Sequence, residues 1–231
     1  MAEAELARFI DRWTMEYVRV YPHPIARVWR AIVEPAEFGV WFIPGRLEPR
    51  VGGRYWFGDD GYQGTVQAIE PPRLLRLSDD QAGQVFHYEL TEVAEGTQLQ
   101  FIHRCPPAGP YTQIPDSAVD ASAGKSFDLG GDLPGGPDTP WKPGFVAGYH
   151  AMFDELFAFL GGVPSETQLP PTELGTIAHW WAVFPPPSAR DFTSEQRNRI
   201  ARSLRLRERW HELIERYRAH IAATIPPAED S

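Results

Sequence analysis

VFHYELTEVAEGTQLQFIH, residues 85–103, decides the fold. Phe86, Tyr88 and Leu90 alternate with His87 and Glu89; beyond the Glu95-Gly96 break, Leu99, Phe101 and His103 alternate with Gln98, Gln100 and Ile102. Successive side chains of a strand point to opposite faces, so this period of two predicts a pair of antiparallel strands with one apolar and one polar face. A sheet patterned in this way is covered on a single side.

The same pattern extends upstream. GGRYWF (52–57), YQGTVQAIE (62–70) and RLLRLS (73–78) read as short strands bounded by Gly, Pro or acidic turn residues, so Gly45 to Arg104 is an antiparallel meander. Gly52 and Gly53 form a turn into a strand rather than a phosphate loop, because no helix carrying Lys and Ser or Thr follows them. EPPRLL is a rigid turn between strands. Further upstream, MEYVRVY (15–21) alternates as a strand, and Pro22 and Pro24 turn the chain. Ile25, Val28, Trp29 and Ile32 then fall on one face of a helix that Pro35 stops, PAEFGVWF (35–42) is a second short helix, and the first ten residues read as another.

Downstream, residues 106–140 hold seven Pro, six Gly, five Asp and one Lys with almost no periodicity, which predicts a long loop. FVAGYHAMFDELFAFLGG (145–162) carries Phe145, Tyr149, Met152, Phe153, Leu156, Phe159 and Leu160 at helical spacing and ends at Gly161-Gly162. This helix is the natural cover for the sheet. Residues 164–192 are irregular and rich in Trp, Phe and Pro, with Trp180, Trp181 and Phe184 placed to seal an extension against the main body. Residues 193–223 form an amphipathic helix that Thr193 and Gln196 cap, with a stripe of Ile200, Leu204, Trp210, Leu213, Ile214, Tyr217 and Ile221. The chain divides into a core domain, 1–163, and an extension, 164–231, packed on that core or on a partner subunit; its aromatic stripes leave a homodimer open.

Composition narrows the function. The net charge is −9, but residues 193–224 hold eight Arg and four Glu, so the remainder carries −13 and repels nucleic acid. No window approaches eighteen consecutive apolar residues, which excludes a membrane span. The basic helix is interrupted by Glu208, Glu212 and Glu215, the mark of ordinary packing rather than of a membrane surface. Cys105 is the single cysteine and has no internal disulfide partner, and the N-terminus lacks the apolar stretch of a signal peptide, so the expected compartment is the cytoplasm. Cys105 carries no signature of a nucleophile and reads as an inert thiol.

The order strand, two helices, antiparallel strands and long helix, together with HPIARVWRAIVEPAEFGVWF, RVGGRYWF, YQGTVQAIEPPRLLRLS, VFHYELTEVAEGTQLQFIH and GYHAMFDELFAFLGG, resembles the Aha1-type branch of the START-like (SRPBCC) superfamily over about residues 15–162. The resemblance implies an α+β helix-grip fold, a curved antiparallel sheet wrapped around the long helix with a cavity between them. Two departures touch that cavity: Tyr149 stands where the family's Gly-Trp word has Trp, and the loop at 106–140 is longer than usual.

The expected ligand is a small hydrophobic or aromatic molecule, entering between the 106–140 loop and the Trp41 segment and lying against Phe86, Tyr88, Phe101, His103, Trp141, Tyr149 and Phe153. Trp41 suits the cavity mouth, where an indole has one wet end. A cyclase or hydrolase in the same cavity, with Tyr88 and His103 as acid and base, is the alternative, by analogy with cyclase members of the superfamily. Regulation of a chaperone ATPase follows from the family's name only, and the eukaryotic proteins add an N-terminal domain for which this chain has no room. His103, His150 and Asp154 lack the motif of a metal site, so neither metal nor cofactor is expected.

Overall fold

The computed structural model describes residues 6–42, 45–57, 63–80, 83–106, 141, 143–161 and 212–225, with the backbone alone at 117–120 and 125–128. Its central element is one eight-stranded antiparallel sheet in the order β1-β2-β8-β7-β6-β5-β4-β3. The strands are β1 (Arg8–Asp11), β2 (Thr14–Tyr21), β3 (Gly45–Leu47), β4 (Arg54–Phe57), β5 (Gln63–Glu70), β6 (Leu74–Asp79), β7 (Val85–Val93) and β8 (Gly96–Arg104). Helices α1 (Ile25–Val33) and α2 (Pro35–Trp41) connect β2 to β3, and α3 (Pro143–Leu160) lies across the inner face. The architecture is α+β and helix-grip.

Register follows from the alternation. Phe86 pairs with His103, Tyr88 with Phe101 and Leu90 with Leu99, which places the apolar set of β7 and β8 side by side on the inner face. β2 adds Tyr17 opposite Phe101 and Met15 opposite His103. The β7–β8 turn requires Gly96: its φ is +134°, and a Cβ there would lie 2.2 Å from the carbonyl oxygen of Tyr21. At the β5–β6 turn Arg73 N–H donates to Glu70 C=O (2.7 Å) across the cis Pro71-Pro72 bond.

α1 buries Ile25, Val28, Trp29, Ala31 and Ile32, and both of its solvent-side arginines, Arg27 and Arg30, reach Glu37 of α2 at 2.6 Å. α3 is apolar nearly all round because it is covered on more than one side. Tyr149 and Phe153 face the sheet, whereas His150 faces a further helix, α4 (212–224), that buries Leu213, Ile214, Tyr217 and Ile221. No helix among the described residues is long and apolar enough to cross a membrane.

Two expectations change. Residues 8–11 form an edge strand instead of part of a helix: an isolated helix of ten residues is marginal, while β1 pairs with β2, Arg8 bridges Glu16 (2.6 Å), and Phe9 packs against Trp141 and His220 at 6.3 and 5.7 Å. Within the predicted loop 106–140, β9 (Ser117–Asp120) and β10 (Lys125–Asp128) form a separate antiparallel hairpin. The caps and aromatic seal expected at Thr193, Trp180, Trp181, Phe184 and Trp210 lie outside the described residues.

Candidate functional site

Aromatic side chains from the inner face of the sheet meet those of α3 in one connected cluster. Phe101 is its hub, with ring centroids 4.8 Å from Tyr88, 5.3 Å from Tyr149, 5.1 Å from Phe153 and 6.3 Å from Tyr17. One step along β8, His103 lies 4.5 Å from Phe86, 5.4 Å from Trp141, 5.8 Å from Phe145 and 5.5 Å from Tyr149. This end of the cluster is where residues 107–140 leave and return, since Cys105 and Pro106 follow β8 and Trp141 precedes α3.

The imidazole of His103 is fully buried. Its Nε2 meets Gln84 Oε1, and the Cys105 thiol donates to the same oxygen at 3.5 Å. Burial, and secondly the charge of Asp79, push that thiol up to about 12, so it keeps its proton. Oε1 therefore faces both groups, Nε2 of His103 carries the hydrogen, and Nδ1 is a bare acceptor. Neither His103 Nδ1 nor Gln84 Nε2 has a hydrogen-bond partner among the described residues. Burial pushes the imidazole down to about 3, so it is neutral throughout the physiological range. Burial likewise raises the Tyr88 phenol above its ordinary range, keeping it protonated.

A second polar cluster lies on the other side of α3. Arg19 donates to His150 Nε2 (3.4 Å), so His150 Nδ1–H donates to the Tyr217 hydroxyl (2.8 Å), which also accepts from Ala7 N–H (2.9 Å). The Tyr17 and Tyr217 hydroxyls are hydrogen-bonded, and Tyr17 donates onward to Val146 C=O. Burial is the main cause that lifts both phenols, Tyr217 to about 12. Four segments are tied together here: the chain before β1, β2, α3 and α4.

The family described as Activator of Hsp90 ATPase homolog 1-like protein matches residues 22–129. This stretch holds α1, α2, β3 to β8 and the β9–β10 hairpin, and its strands β7 and β8 carry Phe86, Tyr88, Phe101 and His103 of the aromatic cluster. Residues 22–129 are similar to the Aha1-type branch of the START-like superfamily. Similar solved structures include CalU16 from Micromonospora echinospora, in solution (20% identity, 96% of this chain and 100% of that one, TM-score 0.49) and in the crystal (18%, 87% and 88%, 0.47). Another is the AHSA1-like protein from Aeromonas hydrophila (16%, 65% and 93%, 0.44). Comparison with curated proteins finds no match.

The expected wall residues Phe86, Tyr88, Phe101, His103, Trp141, Tyr149 and Phe153 join one cluster. Trp41 stands apart from the expectation of a wet end. It is 2% exposed, stacks on Phe153 at 6.2 Å, and donates its Nε1–H to Ala31 C=O at 2.8 Å, so α1 supplies the partner that water was expected to supply. Tyr88 and His103 are diagonal neighbours across β7 and β8, not a directly opposed pair. Gln84 was missed by sequence reasoning, because it precedes the periodic part of β7 and only the sheet places it beside Cys105 and His103. Tyr17 was legible: its neighbours in MEYVRVY alternate, and the alternation sends it inward. His150 and Asp154 do lie near each other (3.8 Å), and no group of three metal-ligating side chains occurs among the described residues.

Proposed function

We propose that the chain binds a small hydrophobic or aromatic molecule between α3 and the inner face of the sheet, at the end marked by His103, Trp141 and Tyr149. The observation that carries this reading is the convergence of five rings, those of Phe86, Phe101, Trp141, Phe145 and Tyr149, on one buried neutral imidazole at the end of the fold where the 107–140 excursion begins. Aromatic walls with a few fixed polar groups are what a small-molecule site requires. Phe145, on the first turn of α3, is only partly buried, so the apolar surface reaches the periphery at that point.

The rival reading, a cyclase or hydrolase acting on an aromatic or polyketide-like substrate, has weaker support. A protonated Tyr88 and a neutral His103 have the formal states of an acid and a base. A base pushed down to about 3, however, is far from the operating pH at which proton transfer is efficient. Regulation of a chaperone ATPase rests on the family's name alone.

The test is native mass spectrometry of the purified chain, extraction of any bound compound, and thermal shift with aromatic probes. Tyr149→Trp, which restores the residue usual for the family, sharpens it. Overpacking a filled core costs about 1–3 kcal/mol, whereas filling an open site leaves stability unchanged and alters probe affinity. The binding reading fails if Tyr149→Trp is strongly destabilising and no compound is ever found bound or returned unchanged.

A further inference from the structure

The polar floor of the aromatic cluster constrains what kind of molecule the site takes. Buried polar groups in folded proteins are almost always hydrogen-bonded, and each exception calls for a cause. Here two exceptions fall on adjoining residues. His103 is 0% exposed and Gln84 is 0% exposed; they are bonded to each other through His103 Nε2 and Gln84 Oε1, and among the described residues each leaves its remaining nitrogen unpartnered. Gln84 Oε1 lies against His103 Nε2, which therefore carries the hydrogen, and the Cys105 thiol is 3.5 Å from both atoms. The orphaned His103 Nδ1 is therefore a pure acceptor, and the orphaned Gln84 Nε2 a pure donor.

We propose that the molecule bound at this site is a hydroxylated aromatic, whose ring lies against the Trp141 and Tyr149 side chains and whose hydroxyl donates a hydrogen bond to His103 Nδ1. This rests on the binding reading above and deepens it. A purely hydrocarbon ligand would leave the imidazole acceptor as it is, buried and unmatched. An ether or ketone presents a second acceptor to it, which is repulsive. A cationic ligand is disfavoured too, because the cluster offers neutral rings and, among the described residues, no carboxylate hydrogen-bonded to His103. Only a donor relieves the mismatch at His103 Nδ1, and a phenolic hydroxyl combines that donor with an aromatic face. The Gln84 amide donor is available to an oxygen of the same ligand. His103 acts as a binding and specificity residue; no bond is made or broken.

Three probes separate the possibilities: 2-naphthol, 2-methoxynaphthalene and naphthalene, titrated against the full chain by calorimetry and tryptophan quenching. These share a ring system and differ in carrying a donor, an acceptor alone, or neither. The expected result is that 2-naphthol binds about tenfold more tightly than the other two, the scale of one net hydrogen bond. In the double variant Gln84→Leu/His103→Leu that preference disappears. Long-range nitrogen–proton correlation on the unmodified chain supplies a reading that does not depend on the variant folding: the His103 Nδ1 resonance moves in the direction of an accepted hydrogen bond when 2-naphthol is added and stays in place with naphthalene. Equal affinity of all three probes, or an unmoved Nδ1 resonance in the presence of bound naphthol, overturns the hydroxyl assignment and leaves the binding reading standing. If none of the three binds, the binding reading falls and this inference falls with it.

Discussion

His103 and His150 sit on opposite sides of the same helix, both 0% exposed, and their surroundings differ in one respect. Around His150 both ring nitrogens are used: Arg19 donates to Nε2, Nδ1–H is given to Tyr217, and the two phenols pass the chain on to Val146 C=O. Around His103 the accounting stops short, with Nδ1 and the neighbouring Gln84 amide nitrogen unmatched among the described residues. A closed network cross-links elements that are far apart in sequence, here residue 7 and residue 217, and is what holds α4 in place. An open one is what the proposed binding role draws on. Two buried histidines of equal exposure thus differ in the completeness of their partners.

The largest effect expected from that contrast comes from truncation after Gly162, which removes α4 and leaves His150 and the Ala7 amide without the Tyr217 oxygen. Loss of several kcal/mol corresponds to a fall in Tm of about 10 °C or more for a chain of this size. A truncated chain that stayed soluble with an unchanged Tm would mean that the His150 network carries no stability.

The next effect is sharper because it uses single atoms. Tyr217→Phe deletes only the hydroxyl and orphans two buried donors, which costs about 1–3 kcal/mol in urea unfolding. Gln84→Leu/His103→Leu removes two mutually bonded polar groups that were already short of partners, so its stability stays within about 1 kcal/mol of the parent chain or rises. Equal destabilisation by the two changes would erase the distinction between the sites.

Smaller, and measurable only as a difference, is the pH dependence that His103 contributes. Its folded value is pushed from 6.5 down to about 3, so between those values the unfolded chain binds the proton and the folded chain does not. Stability from this group is complete above 6.5 and is lost as the pH falls. Lowering the pH from 7 to 5.5 therefore shifts the stability difference between the parent chain and the double variant by about 1 kcal/mol in the variant's favour. A difference that does not change with pH would show that His103 titrates alike in the folded and unfolded chains. The smallest effect concerns Cys105: buried, with its thiol raised to about 12, it stays unlabelled by a disulfide reagent at pH 8 in the folded chain and reacts on unfolding.

Much of this molecule was legible in its residues. The alternation in β2, β7 and β8 named the inner face, including Tyr88, Phe101 and His103, because a strand's side-chain period is set by backbone geometry alone. The helical spacing in α1 and α3 did the same for Val28, Trp29, Tyr149 and Phe153. Less legible was the edge strand β1, whose four residues have little pattern of their own and take their form from pairing with β2.

What tertiary structure alone decided is which polar atoms meet. Periodicity tells that His103 points inward, but not that Gln84, nineteen residues earlier in sequence, supplies its oxygen, nor that Tyr217, sixty-seven residues beyond His150, closes the other network. Likewise, an indole at position 41 fits a wet rim or a dry core equally well until the Ala31 carbonyl is seen 2.8 Å from its nitrogen. The apolar side of the fold is a sum over many weakly specific contacts and so is written into local composition. Hydrogen bonds are short and directional, and whether a buried one is made or left open depends on strand register and helix placement that no local stretch of the chain contains.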